Sequence, residues 1–286
     1  MIRKSLLNTK DATFCIELPN KAQHDMPTPT GTGFFISEDG WFVTAAHVIT
    51  ESDQQNGTTN VRSDLDQAML VKENKFIEES ERDPDDPFPF RNIDCFYVSF
   101  EQMISHLDFA LLKVDFPSNA KRRWLKGKKG FPFINVSRRQ LEEGEPIYSF
   151  GYPLSNALYE KTEIGIVHGN SQLSPRITSA IVSSTTEQTE AMWTPHDPQK
   201  YVLDKALNYG NSGGPIVSTQ TGNAHALCSR FQPVYVPQPP YARNEKGELL
   251  ALPPIMMPSL YGIVSSLRNQ EILDLLERVG VPITDE

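Results

Sequence analysis

The sequence predicts an all-β fold arranged in two successive halves. Short apolar runs bounded by turn residues recur along most of its length. Asp39-Gly40 marks a hairpin between two such runs. Helical spacing stands out in one place, near the C-terminus. With 286 residues, 38% of them hydrophobic, the chain can bury a full core.

In order, Phe14 to Leu18 reads as the first strand. Gly33 to Ile36 and Trp41 to Thr44 flank the Asp39-Gly40 turn, and further strands are expected at Val61, Met69 to Val71, Cys95 to Val98 and Phe109 to Val114. The second half follows the same style. Pro146 to Phe150 comes after the turn Glu143-Gly144-Glu145, and then Thr162 to Val167, Ile177 to Val182, Tyr201 to Leu203, Pro215 to Val217, Ala226 to Cys228 and Leu260 to Val264. Leu267, Ile272, Leu275, Leu276 and Val279 recur near helical spacing, with Ser265 or Ser266 as cap and Gly280 and Pro282 as the stop. This helix is expected to lay its apolar stripe on the second β-half.

Two segments interrupt the pattern. The stretch from Glu78 to about residue 92 opens acidic and proline-punctuated, which suits a solvated loop. Gln232 to Pro258 carries seven prolines and reads as a surface insertion that forms no regular ladder. Lys121 to Arg139 is basic, with no acid between, and reads as a solvated connection between the halves.

A net charge of −9 argues against general nucleic-acid binding, which needs a basic surface. Cys15, Cys95 and Cys228 are too few and too scattered for a disulfide framework or a zinc site, and they suit a reducing cytoplasm. His106, His168 and His196 match no ligand spacing, so neither metal nor cofactor is expected. There is no apolar run long enough for a signal peptide or a membrane span, so no membrane partner is expected and the location is read as cytoplasmic.

The chemistry gathers at three places. Gly210-Asn211-Ser212-Gly213-Gly214-Pro215 puts a serine in a glycine-rich turn that can expose both the hydroxyl and the flanking N–H groups. A serine hydroxyl needs a base to take its proton, and His47, in Thr44-Ala45-Ala46-His47-Val48, is suited to that task. Asp108, in His106-Leu107-Asp108-Phe109-Ala110-Leu111-Leu112, can fix the imidazole tautomer and stabilise the imidazolium. Each residue alone has a bland reading, as a core histidine, a turn aspartate or a loop serine. Three such coincidences, in suitable contexts and in the order His, Asp, Ser, outweigh them.

These segments resemble the three signature segments of trypsin-like (chymotrypsin-fold) serine proteases. More narrowly, Leu203-Asp204-Lys205-Ala206-Leu207-Asn208-Tyr209-Gly210-Asn211-Ser212 resembles the nucleophile segment of the Deg/HtrA branch. So do Gly31 to Ile36, Gly144-Glu145-Pro146 with Ser149 to Pro153, and Tyr261 to Val264 followed by a helix. The resemblance covers roughly residues 12–280. It implies two perpendicular six-stranded β-barrels and a C-terminal α-helix, with the triad between the barrels. The expected boundaries are about 12–115 for the first barrel, 116–132 for a linker, 133–264 for the second barrel and 265–279 for the helix. Insertions are expected at about 78–92 and 232–258.

The resemblance also implies peptide-bond hydrolysis through an acyl-enzyme, with a polypeptide substrate and with the N–H groups of Gly210 and Ser212 as the oxyanion hole. By position, Ala206, Leu207, Ser229, Arg230 and Phe231 would form the substrate pocket. The uncharged Ala206 and Leu207 favour a neutral residue before the scissile bond. Asn211 departs from the digestive branch, whose aspartate there binds a newly cut N-terminus. Deg/HtrA relatives usually carry a PDZ domain, and none is expected within these 286 residues. Control is therefore expected from loop ordering, from the insertion after Phe231 or from a regulatory protein partner.

Two rivals stand beside this reading. The turn also fits the Gly-x-Ser-x-Gly elbow of α/β-hydrolases, but Pro215-Ile216-Val217 continues as a strand, and His225 is the only later histidine, with no aspartate before it. The other rival is a catalytically silent protease fold serving as a binding or scaffold module, against which the complete triad argues.

Overall fold

The computed structural model describes residues 2–53, 58–73, 93–115, 129–161, 167–186, 200–205, 207–236, 246–247 and 255–286. It begins with a helix that the sequence analysis did not assign, α1 (Ile2–Ala12). Ser5 and Thr9 on α1 meet the Tyr148 hydroxyl at 2.6 and 3.1 Å, and Asn8 donates to the Phe133 carbonyl at 2.7 Å. The helix is therefore held against residues of the second half.

The first half contains β1 (Thr13–Asn20), β2 (Met26–Phe35), β3 (Trp41–Thr44), β4 (Thr50–Asp53), β5 (Thr58–Val61), β6 (Met69–Glu73), β7 (Ile93–Tyr97), β8 (Ser99–Ile104) and β9 (Phe109–Lys113). Seven of these form one sheet in the order β7-β6-β1-β2-β3-β9-β8, while β4 and β5 pair as a separate ribbon. Its interior is aromatic. Phe35 stacks on Phe131 at 4.2 Å and meets Phe14 edge-on at 5.5 Å. Phe131, expected in a solvated linker, is instead fully buried and tied down by its N–H on the Glu38 carbonyl. Residues 116–128 of that linker lie outside the described residues.

The second half contains β10 (Val136–Ser137), β11 (Pro146–Gly151), β12 (Asn156–Lys161), β13 (Val167–Gln172), β14 (Arg176–Thr186), β15 (Lys200–Leu203), β16 (Pro215–Ser218), β17 (Ala224–Val236), β18 (Ile255–Ser266) and β19 (Ile283–Thr284). The order β16-β11-β14-β15-β18-β17 closes through pairing of β17 with β16, giving a six-stranded barrel. Ile147, Val182, Leu203, Ile216, Cys228 and Val264 belong to its core. The all-β double-barrel expectation holds, with a closed second barrel and a first sheet that curls as a half-barrel. The β12–β13 ribbon stands apart and straps back to the first half, where Tyr159 N–H donates to Gln23 and its hydroxyl to the Pro27 carbonyl.

Two expectations are corrected. The proline-rich run was read as unable to form a ladder, yet β17 and β18 continue pairing from Pro233↔Pro258 to Val236↔Ile255. The register shifts between Phe231 and Pro233, and a bulge of this kind admits a residue that lacks an N–H. Residues 237–245 and 248–254, like 78–92, lie outside the described residues.

The C-terminal helix, α2 (Gln270–Arg278), begins later than expected. Ser265 and Ser266 remain in β18 because they still pair with Leu227 and Ala226 of β17. The true N-cap is Asn269, whose side chain accepts the Glu271 N–H at 3.0 Å. Gly280, at φ 79°, ends the helix as read. Leu275 and Leu276 share one apolar cluster with Phe14, Phe35, Val217 and Leu227, so α2 contributes to a core common to both halves. Arg278 also reaches Gln102 of β8 at 2.6 Å.

Candidate active site

The His47 and Asp108 pair is assembled within the first half. β3 ends at Thr44, and the chain turns tightly through Ala46–Val48. Asp108 closes another tight turn, Ser105–Leu107, just before β9, which pairs with β3. Asp108 adopts left-handed backbone, φ 52° and ψ 41°, a conformation aspartate tolerates better than most residues. That turn aims its carbonyl and carboxylate at the same place. The carbonyl accepts Ala46 N–H at 3.1 Å and Oδ1 accepts His47 N–H at 3.0 Å.

His47 Nδ1 lies 2.9 Å from both carboxylate oxygens. A carboxylate only accepts, so Nδ1 carries the proton and neutral His47 keeps a bare Nε2. Backbone and ring are thus held by one side chain. The Asp108 side chain is 21% exposed and that of His47 48%.

Ser212 belongs to the second half, and Ser229 links its turn to this pair. Its turn is backbone-defined. Gly210 sits at φ 93° and Gly213 at φ 83°, conformations that disfavour a side chain. A Cβ on Gly213 would lie 2.2 Å from the Thr32 carbonyl oxygen. The Tyr209 carbonyl accepts Leu154 N–H at 3.0 Å, and the Asn211 carbonyl accepts Gly214 N–H at 2.8 Å. In a trans peptide the N–H points opposite the carbonyl, so the N–H groups of Gly210 and Ser212 are each turned away from those anchors.

The Ser212 hydroxyl donates to the Ser229 carbonyl at 3.4 Å rather than to His47. Ser229 itself donates its hydroxyl to Asp108 Oδ2 at 2.6 Å. Sequence reasoning placed Ser229 in the substrate pocket, and the structure commits its hydroxyl to the carboxylate. Arg230 and Ser229 do line a cavity of about 440 Å³ with Ala46, His47, Met103 and Lys200. Leu207 is packed into the second-barrel core instead. Ala206 and the Phe231 side chain lie outside the described residues.

Two features escaped sequence reasoning. Thr32 contacts the nucleophile turn through its backbone and its hydroxyl. Leu154, in left-handed backbone at φ 57°, anchors Tyr209. Neither residue type carries a chemical signal in sequence.

Burial pushes the Cys228 thiol well above its ordinary range, with the Asp108 charge adding to the effect. Cys228 therefore stays a neutral thiol beside the site. Among the described residues, no group of three or more His, Cys, Asp or Glu is placed to hold a metal, and no helix is long and apolar enough to cross a membrane.

A half-barrel joined to a closed six-stranded barrel, with a hydrogen-bonded His47–Asp108 pair on the first and the Ser212 turn on the second, defines a class. The family model of the trypsin-like peptidase domain matches residues 31–227, and the chain belongs to that family. Proteins similar to the chain include HtrA serine proteases. The serine protease HTRA1A of Danio rerio is 25% identical over 208 residues, 71% of this chain and 31% of that protein. Serine protease HTR4 of Bos taurus is 26% identical over 196 residues, 68% of this chain and 28% of that protein. Human serine protease HTRA3 is 21% identical over 196 residues, 68% of this chain and 32% of its own length. The chain thus spans about a third or less of the length of these relatives.

Proposed function

We propose that the chain is a serine endopeptidase in which Ser212 is the nucleophile, His47 the general base and acid, and Asp108 the group that orients and stabilises the imidazole. The observation that carries this reading is the pairing of His47 Nδ1 with both Asp108 oxygens, which leaves Nε2 ready to take a proton. In the forward step, Ser212 Oγ attacks the scissile carbonyl and its proton passes to Nε2. The carbonyl oxygen becomes an oxyanion facing the N–H groups of Gly210 and Ser212. Collapse of the adduct expels the amine, which takes the proton from His47, and leaves an acyl-enzyme. Water then repeats the sequence and frees Ser212.

The hydroxyl must first leave the Ser229 carbonyl and turn to His47. A 3.4 Å hydrogen bond is weak, so a bound substrate can displace it. This resting geometry also suits control by loop ordering or by a partner protein. The insertion after Phe231, residues 232–258, is proposed to act as a lid or as the docking site for a regulator or substrate. A polypeptide is the proposed substrate.

The test is hydrolysis of a peptide library together with labelling by a fluorophosphonate. Wild type should cleave and label, and Ser212→Ala should do neither, with kcat/KM reduced by about four orders of magnitude or more. A wild type that never labels, with or without cell extract, would support the silent scaffold instead.

A further inference from the structure

Thr32 is buried at the meeting of the two barrels and is bound through all of its polar groups. Its N–H donates to the Ser212 carbonyl at 2.8 Å. Its hydroxyl donates to the Gly210 carbonyl at 2.5 Å and accepts Tyr152 N–H at 3.1 Å. Its carbonyl accepts the Thr44 hydroxyl at 2.7 Å, three residues before His47. We propose that the Thr32 hydroxyl is a positioning group for the oxyanion hole, an inference that rests on the peptidase reading above.

Gly210 lies between two peptide planes. The Leu154 N–H holds the plane before it through the Tyr209 carbonyl, and Thr32 holds the plane after it through the Gly210 carbonyl. With both planes held, the φ of Gly210 is set at 93°, and the direction of its N–H is set with it. Glycine has no Cβ to enforce that torsion, so the restraint must come from such anchors.

Thr32 also pins the Ser212 carbonyl, so one residue of the first barrel fixes the backbone on both sides of Asn211. Without the hydroxyl, the buried Tyr152 N–H and the Gly210 carbonyl would both lose a partner. The turn would then move to recover hydrogen bonds. A serine keeps the hydroxyl, whereas a valine of the same shape does not. Thr32 touches neither the scissile carbonyl nor His47, so it acts only through the peptide it holds.

The experiment compares wild type with Thr32→Val, Thr32→Ala and Thr32→Ser on one peptide substrate, with Ser212→Ala as the inactive reference. An oxyanion donor lost outright lowers kcat about 100- to 1000-fold, so a misaimed one is expected to lower it about 10- to 100-fold in Thr32→Val and Thr32→Ala. KM should stay within about twofold, because ground-state binding does not use the hole. The affinity of a peptide aldehyde, whose adduct does use it, should weaken by the same factor as kcat. Thr32→Ser should restore kcat to within about threefold of wild type.

If Thr32→Val does not fold, Thr32→Ala against Thr32→Ser carries the comparison. Hydroxyl-free variants that keep kcat, even at a lower melting temperature, would show Thr32 to be a structural contact only and overturn the inference. So would a serine variant as impaired as the alanine. A wild type no faster than Ser212→Ala would instead remove the peptidase reading, and this inference with it.

Discussion

The two halves of the site are built differently. His47 and Asp108 are joined within the first half, through three hydrogen bonds between neighbouring turns at the ends of paired strands β3 and β9. Ser212 belongs to the second barrel, and its turn is held both by that barrel's own hydrogen bonds and, across the junction, by Thr32 in β2. One half of the chemistry depends on local strand pairing, and the other on how the barrels dock. Ser229 crosses in the opposite direction, from the second barrel to Asp108. The base pair should therefore survive changes that disable the nucleophile turn.

Gly210→Ala is the sharpest attempt to break that comparison. The added Cβ would lie 2.5 Å from the Tyr152 carbonyl oxygen and sit on a left-handed backbone, so the turn must rearrange. Peptide hydrolysis should fall about 100-fold or more. The low-field proton resonance of His47 Nδ1 should persist. Its disappearance would show that the two halves of the site are not separately assembled.

A smaller effect is expected from Ser229→Ala. Asp108 loses a 2.6 Å donor but keeps both His47 contacts, so kcat should drop about tenfold. An unchanged kcat would show that the second barrel does not tune the pair.

Glu145→Gln probes the second barrel away from the site and should leave kcat within about twofold of wild type. Burial alone would raise the Glu145 carboxyl, but hydrogen bonds from Arg139, Ser218 and the Glu142 N–H outweigh it and hold the group below its ordinary range. A depressed folded value contributes stability at pH above the unfolded value, and that contribution is lost as pH falls through the folded one. Glu145→Gln should therefore unfold more easily by about 1–3 kcal/mol at neutral pH. Melting curves from pH 7 down to about 3 should converge with those of wild type. A constant gap would show that the carboxylate's charge is not what stabilises the barrel.

The legible parts of the molecule were those with a local signal. Asp39-Gly40, the apolar runs and the glycines around Ser212 impose their conformations over a few residues. Misreadings arose where a distant strand decided. Ser265 and Ser266 looked like caps but remain paired to β17. Pro233 and Pro258 looked like ladder breakers but face each other at the end of a ribbon. Ser229 lines the cavity, but nothing local in the sequence announces its hydrogen bond to Asp108, 121 residues earlier. Basic Arg138 and Arg139, read as part of a solvated connection, are engaged by Glu277, Asp285 and Glu145.

By itself, the sequence determined the strand-rich character, the three chemical segments and the glycines that permit the serine turn, because each follows from residue type and short-range sterics. Only the tertiary structure decided which serine orients Asp108, which residue holds Gly210 and where the Ser212 hydroxyl rests. Thr32 and Gly210 are 178 residues apart, and a hydrogen bond at that separation depends on two packed barrels rather than on any property of a threonine.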